Sequence, residues 1–292
     1  MKGINKSLTI LIVLFSLCFV TCKYGLGEGF YRKNPVKSRA NALKELNDET
    51  TQNLLSSLGS KYDVLLISDL HFGKDESSQH ERALFDWLDS LSADKRPSFC
   101  INLGDTADHG LSEEYDSYLV FQEQLRSKLK SPVVFNVLGN HDLFNSGWSS
   151  WKEKMYPNMS FYHFETNNVS WYFLDSGSGT LGERQVEILS DAIKHDSKQK
   201  IISLHYPLYG DKIDALMSHD SLQDEHETDM LFTLFAENNV KLVLNGHTHK
   251  SFNNDFGKFS EFNLPSLRKS TIWGILSVDE TKMEFKPYKI GD

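Results

Sequence analysis

Short apolar runs and helix-like segments alternate along the chain from about Lys61 onwards. Continuous apolar runs of four to eight residues are typical of strands that are buried on both faces. Six such runs predict strands over residues 63–68, 98–103, 132–138, 170–176, 200–205 and 240–245. The stretches "TIWGILSV" and "MEFKPY" predict two late strands. Strands that alternate with helices favour an α/β fold in which helices flank central β-sheets.

Apolar residues at helical spacing predict the helices between these strands. The helical segments are residues 80–91, the segment that follows Ser112, residues 182–195 and the segment around Leu231. Ser112 is predicted to cap its helix, because serine favours the N-cap position. Glu113 and Glu114 would then lie in the first turn, where the helix dipole favours negative charge.

The amino-terminal residues show a different pattern. Residues 1–21 are predicted to be a signal peptide, because two lysines precede an apolar run of 13 residues that is too short to cross a membrane comfortably. Cys22 follows this run and resembles the lipidated first residue of a bacterial lipoprotein. Lipidation and simple secretion both remain open. Residues 22–60 are polar and are predicted to be a tether, with the folded domain at residues 61–292.

Composition limits the partners. The formal net charge is −9, which disfavours duplex nucleic acid because duplex binding needs a basic surface. A small anionic substrate stays possible, since bound metal ions can invert the local field. The apolar setting of Cys100 predicts a small core residue, and three cysteines provide no disulfide framework.

Polar side chains follow five of the predicted strands. They stand in the motifs "DLH", "GD", "GNHD", "H" and "GHTH", which begin at residues 69, 104, 139, 205 and 246. Ligands of open α/β sheets bind outside the carboxyl ends of the strands, so we expect these motifs to meet at one edge. Each motif alone is a common turn or helix cap. Together they offer carboxylates, imidazoles and one amide, which suit Zn, Mn or Fe, in a number that suits two metals.

The ordered set of motifs resembles the calcineurin-like metallophosphoesterase superfamily. "GDTADHG" and "GHTH" are most similar to its branch of cyclic-nucleotide phosphodiesterases. "HYPLY" is similar to purple acid phosphatases, but those need a tyrosine where this chain has Asp108. The resemblance implies an αββα sandwich, formed by central β-sheets with flanking helices, and a dinuclear metal site at the carboxyl ends of the strands.

The resemblance also implies a role for each metal ligand. Asp69, His71 and His249 would hold one metal ion. Asn140, His205 and His247 would hold the other, and Asp105 would bridge the two. The ions would be divalent or trivalent transition metals, with Mn, Fe and Zn all open.

A third set of residues is expected to act beside the metals. His141 would be a catalytic general acid next to the leaving group, because an imidazole pKa can lie near 7. Asp142 or Asp108 would orient an imidazole from behind the ligands. The polar segment 210–228 is expected to form a loop near the site, where specificity could lie.

The predicted function is that of an exported metal-dependent phosphoesterase. It would hydrolyse a phosphodiester or a phosphomonoester through a hydroxide that two metal ions activate. The substrate would be a small phosphate ester. The protein would contact a membrane only through a lipid anchor, and its oligomeric state is open. A surface-anchored binding protein without catalysis and a nuclease, both on the same fold, are the alternatives.

Overall fold

A computed structural model describes residues 36–74, 78–210, 213–214 and 218–291. The predicted signal peptide and Cys22 lie outside these residues. The α-helices of the described part are α1 Val36–Arg39, α2 Glu49–Ser57, α3 Ser78–Ser90, α4 Ser112–Arg126, α5 Gly147–Lys154, α6 Glu183–His195 and α7 Glu225–Glu237, and 3₁₀ helices span Ala93–Lys95 and His141–Leu143. None of them is long and apolar enough to cross a membrane.

Within the described residues, the strands form two large sheets and one two-stranded sheet. They are β1 Lys44–Glu45, β2 Lys61–Ile67, β3 Phe99–Asn102, β4 Val134–Asn136, β5 Tyr162–Glu165, β6 Val169–Phe173, β7 Gln199–Ser203, β8 Ile213–Asp214, β9 Ser218–His219, β10 Val240–Asn245, β11 Phe252–Asp255, β12 Ser260–Asn263, β13 Trp273–Asp279 and β14 Glu284–Ile290. The predicted strands are therefore present, and several end earlier than predicted, which leaves the polar motifs in loops and, at His141–Leu143, in a short 3₁₀ helix.

Parallel strands run through the middle of both large sheets. The seven-stranded sheet has the order β1-β5-β6-β7-β10-β12-β11, and the five-stranded sheet has the order β14-β13-β2-β3-β4. The pairs β2/β3, β3/β4, β6/β7 and β7/β10 are parallel. The carboxyl ends of these strands lie at one edge of each sheet, so the loops that follow them can form one site.

The two sheets pack face to face over a shared apolar core. Phe135 of one sheet stacks on Phe164 of the other with 4.6 Å between ring centroids, and Phe99 meets Trp171 at 5.5 Å. On the outer faces, α3, α4 and α5 cover the five-stranded sheet, and α1, α6 and α7 cover the other. This is the αββα sandwich that the motifs implied.

The structure corrects the start of α4. Leu111 occupies the N-cap position and Ser112 is the first helical residue. The Glu114 carboxylate satisfies the free N–H groups, because it accepts from the backbone of Leu111 at 3.1 Å and of His109 at 2.8 Å. The serine hydroxyl instead accepts from Lys154 at 2.7 Å.

The structure also corrects the predicted tether. Within residues 22–60, the part from Val36 onwards folds onto the domain, since β1 pairs with β5 and both Leu46 and Leu54 are buried between the sheets. Arg39 and Asp175 form a fully buried ion pair at 2.8 Å. These elements have only two to nine residues, too few for a clear hydrophobic period, so the sequence appeared merely polar.

Candidate metal centre

The loops after β2, β3, β4, β7 and β10 converge at one edge of the sandwich and carry the predicted ligands. Asp69, Asp105 and His205 are essentially inaccessible to solvent. The predicted ligands form two adjoining groups, each compact enough to hold one metal ion, and a third such group joins His71 to Asp108 and His141. The sequence prediction placed the same residues at one edge, and the structure brings them together.

The first group contains Asp69, His71 and His249. Nε2 of His71 and Nε2 of His249 are 3.1 Å apart, and Nε2 of His249 is 3.2 Å from Oδ1 of Asp69. That oxygen is buried and accepts no hydrogen bond among the described residues. An unsatisfied buried carboxylate oxygen is costly. A cation between it and the two imidazoles would satisfy it, so this group fits a metal ion.

The second group contains Asp105, His205 and His247. The amide oxygen Oδ1 of Asn140 joins it, 3.1 Å from Nε2 of His205 and 3.0 Å from Nδ1 of His247. Two imidazoles, a carboxylate and an amide oxygen form a donor set that suits Zn, Mn or Fe. This group therefore also fits a metal ion, with Asn140 supplying the amide oxygen.

Asp105 lies between the two groups. Its Oδ2 is 3.3 Å from Nε2 of His205 and 3.8 Å from Nε2 of His71. Its other oxygen, Oδ1, accepts the backbone N–H of His141 at 2.8 Å, which fixes the carboxylate. A carboxylate that faces both groups can serve two metal ions at once.

Five of the seven candidate ligands have left-handed backbone conformations, which are uncommon for residues other than glycine. Their φ angles lie between 46° and 68° at Asp69, His71, Asp105, His247 and His249. Such strain is concentrated at functional sites, where the surrounding structure enforces it. The sharp turns let each loop direct its side chains back over the strand ends.

Gly104 and Gly246 allow these loops to approach one another closely. A Cβ atom at Gly104 would lie 2.6 Å from Nδ1 of His205, and a Cβ at Gly246 would overlap the Ser68 hydroxyl. Gly104 also has a φ of 105°, a region open to glycine. The two glycines are therefore required for the packing of the site.

The ionisable ligands perturb one another in the metal-free protein. Burial acts to raise the pKa of Asp105, but the imidazoles of His205 and His141 outweigh it and hold the pKa well below its usual value. Burial lowers the pKa of His71 to about 4. For His205, burial opposes the charged form, yet the carboxylate of Asp105 raises the pKa to about 9. An ionised Asp105 and a neutral His71 are the forms that bind a metal ion.

His141 stands beside the two groups. Its Nδ1 donates to the backbone carbonyl of Asp108 at 2.7 Å, so Nε2 is the nitrogen that can face a substrate. The ring packs edge-on against His71 and Phe144, with centroids at 4.5 and 4.8 Å. The side chain is 27% exposed, so the ring is held in place while remaining accessible.

The carboxylates of Asp108 and Asp142 contact different groups, an imidazole in one case and backbone N–H groups in the other. Oδ1 of Asp108 lies 3.1 Å from Nδ1 of His71, which is the predicted carboxylate–imidazole contact behind a metal ligand. Asp142, the other predicted candidate for this role, instead accepts backbone N–H groups of Ala107 and Gly139, both at 3.0 Å. It connects the loops after β3 and β4. Burial, followed by the charge of Asp105, raises the pKa of Asp142 to about 6.

Two lysines at the rim were not predicted. Nζ of Lys74 lies 2.6 Å from Oδ1 of Asp108, and Nζ of Lys269 lies 2.7 Å from Nδ1 of His249. Neither belongs to a motif or a periodic pattern, so only the folded structure reveals them. The prediction that residues 210–228 determine specificity stays a prediction, because residues 211–212 and 215–217 lie outside the described part.

Comparison with known proteins agrees with this geometry. Residues 62–251 match the family model for calcineurin-like phosphoesterases. The chain is 24% identical over 213 residues to the 3′,5′-cyclic adenosine monophosphate phosphodiesterase CpdA of Haemophilus influenzae, covering 70% of this chain and 75% of that protein.

Solved structures share the fold at low identity. A dimetal phosphatase from Danio rerio superposes with a TM-score of 0.59 at 14% identity, covering 75% of this chain and 93% of that one. Plasmodium GAP50, the anchor in the inner membrane complex, gives 0.55 at 14% identity, with 79% and 89% covered. Purple acid phosphatase PPD1 from yellow lupin gives 0.52 at 10% identity, with 80% and 54% covered.

Proposed function

Because the chain belongs to the calcineurin-like phosphoesterase family and is therefore a hydrolase of phosphate esters, we propose that it is exported and acts on a small phosphodiester. Two transition-metal ions would serve the reaction. Asp69, His71 and His249 would hold one ion, and Asn140, His205 and His247 would hold the other. Asp105 would be shared between them.

The position of Asp105 is the observation that carries this proposal. A single carboxylate oxygen faces an imidazole of each group, at 3.3 Å and 3.8 Å. Two isolated metal sites would not need a common carboxylate. When bound, two adjacent metal ions neutralise the anionic oxygens of a phosphate ester and lower the pKa of a water molecule.

The proton for the leaving group would come from His141. Since Nδ1 donates its hydrogen to the Asp108 carbonyl at 2.7 Å, the imidazolium form of His141 carries its second proton on Nε2, from which it can pass to the leaving oxygen. The backbone N–H of the same residue is bonded to Asp105 at 2.8 Å. This bond fixes the acid relative to the carboxylate that serves both metals, which keeps proton donor and reacting group aligned.

A small phosphodiester is the substrate class that we favour. The curated relative from Haemophilus influenzae is by its name a cyclic AMP phosphodiesterase, and the "GDTADHG" and "GHTH" motifs resemble the same branch. The net charge of −9 disfavours a duplex substrate, which makes a nuclease the weaker alternative.

Hydrolysis assays with two reporter substrates test the proposal. Purified full-length protein with added Mn²⁺ should hydrolyse bis(4-nitrophenyl) phosphate faster than 4-nitrophenyl phosphate. The Asn140→Ala variant, which loses the amide oxygen, is the matched control and should be inactive. A preference for the monoester would overturn the diester assignment but leave the metal-dependent mechanism.

A binding protein without catalysis is the second candidate, since the GAP50 anchor shares the fold. The two roles differ in what they require of His141, because a binding module needs no proton donor beside its metals. Protein that binds two equivalents of metal yet hydrolyses neither reporter would favour the binding role.

Export and lipid anchoring rest on residues 1–22 alone. Mass spectrometry of protein recovered from a bacterial host would identify the mature amino terminus. A diacylglyceryl group on Cys22 would establish anchoring, and its loss in Cys22→Ser provides the control. An unmodified terminus near Cys22 would support simple secretion, and an intact Met1 would overturn export.

A further inference from the structure

The hydrogen bonds of the first metal group run in one direction, because an ammonium only donates. Nζ of Lys269 donates to Nδ1 of His249 at 2.7 Å. A neutral imidazole has one acceptor nitrogen, so Nε2 of His249 carries the hydrogen, with Nε2 of His71 at 3.1 Å and Oδ1 of Asp69 at 3.2 Å as its neighbours. Nδ1 of His71 then donates to Asp108 at 3.1 Å.

This arrangement prepares one imidazole for a metal ion and blocks the other. His71 presents the lone pair of Nε2 to the site, as a metal ligand must. His249 has its only lone pair on Nδ1, where the ammonium of Lys269 occupies it. If a metal ion bound Nε2, the ring hydrogen would lie on Nδ1, where it would face the ammonium of Lys269, which is also a donor. If the metal ion bound Nδ1 instead, it would occupy the position of that ammonium. In either case the contact between Lys269 and His249 must break.

The backbone that carries Lys269 is fixed to the site even though its side chain is exposed. The Ser266 hydroxyl donates to the carbonyl of Asp69 at 2.7 Å, and the N–H of Leu267 donates to the carbonyl of Ser68 at 3.0 Å. A further bond of 2.6 Å joins His80 to the carbonyl of Arg268. A displaced ammonium therefore stays at the rim of the metal site.

We propose that Lys269 is a metal-gated phosphate-binding residue. In the metal-free protein it occupies His249, and on metal loading it is released to contact the anionic oxygens of the substrate. This inference rests on the two-metal function proposed above. It couples metal loading to substrate affinity, because the positive charge reaches the substrate only after the first metal has bound.

Calorimetric titration of the full chain with Mn²⁺ tests the first half. The binding step that disappears in His71→Ala reports the first group. In Lys269→Met that step should tighten by about three- to tenfold, because the competing charge-assisted hydrogen bond is gone. Lys250→Met is the matched control, since it removes the same charge one residue from His249 and contacts Asp220 instead.

Titration of the Mn²⁺-loaded protein with inorganic phosphate tests the second half. Lys269→Met should weaken phosphate binding by about three- to thirtyfold, and Lys269→Arg should restore it. The gate is supported if Lys269→Met binds the metal ion more tightly and phosphate more weakly, while Lys250→Met changes neither affinity. Unchanged metal or phosphate affinity in Lys269→Met would overturn it. A wild-type protein that binds no Mn²⁺ would instead refute the two-metal function itself.

Discussion

The two ligand groups differ in what holds their imidazoles. In the second group, Nδ1 of the fully buried His205 bonds to the backbone carbonyl of Leu103 at 2.8 Å. In the first, Nδ1 of the 23% exposed His249 bonds to the flexible side chain of Lys269. A backbone carbonyl fixes the ring with the opposite nitrogen directed into the site, whereas the ammonium must leave before His249 can bind a metal ion. His205 is thus already oriented for a metal ion and has only to lose a proton, since its pKa is raised to about 9, whereas the first group must rearrange.

Removing a preorganised ligand should have the largest effect. His205→Ala should abolish binding of one metal equivalent and lower turnover by about 10⁴-fold, because each metal contributes several kcal/mol to charge stabilisation. Elemental analysis together with reporter hydrolysis measures both quantities. If His205→Ala kept two equivalents and its activity, the second group would not be a metal site.

Removing the proposed acid should separate catalysis from metal binding. His141→Ala should retain both metals and lose turnover by about 10²–10⁴-fold, the usual contribution of a general acid. A reporter with a 4-nitrophenolate leaving group should show a smaller loss than one with an alkoxide, since phenolate needs less protonation. Equal losses on the two substrates would argue against proton donation.

The second group also depends on the amino-terminal segment. The Ser176 hydroxyl accepts the N–H of His205 at 3.0 Å, and the neighbouring Asp175 pairs with the buried Arg39. Arg39→Ala should lower the free energy of unfolding by about 3–5 kcal/mol, because it leaves a buried charge unpaired.

Chemical denaturation of Arg39→Ala measures this effect. Lys61→Ala is the control, since it removes only an exposed ion pair with Asp279, and exposed ion pairs contribute little to stability. If Arg39→Ala lost no more free energy of unfolding than Lys61→Ala, the buried ion pair of the amino-terminal segment would contribute little to the stability of the domain.

Metal binding by the first group should depend on the carboxylate of Asp108, which lies behind His71. Asp108→Asn keeps the shape of the side chain but removes the charge that faces Nδ1 of His71 at 3.1 Å. Affinity for the first metal should fall by about 10–100-fold, while the second stays unchanged. Calorimetry with Mn²⁺ separates the two steps. An equal loss of affinity in both metal-binding steps would mean that the two ligand groups are not held in place independently.

The apolar runs predicted the α/β fold, and the motifs after them predicted which polar residues meet at one edge, because both are local features of the chain. The sandwich and the roles of the seven ligands came from the family resemblance, and those roles stay a prediction. The sequence could not predict that Val36 to Ser60 belongs to the domain, since those elements are too short to show a period. The sequence also assigned the N-terminal cap of α4 to Ser112, whereas the side chain of Glu114 accepts the backbone N–H at that end of the helix. The lysine on His249 was hidden as well, because residues 249 and 269 meet only through the packing of Ser266 and Leu267 against the end of β2.

Anomalous diffraction from a crystal of the Mn²⁺-loaded protein would show whether two metal ions share Asp105. Two peaks are expected, one among Asp69, His71 and His249 and one among Asn140, His205 and His247, with the carboxylate of Asp105 between them. A single peak, or two peaks that do not share Asp105, would contradict a dinuclear phosphoesterase site.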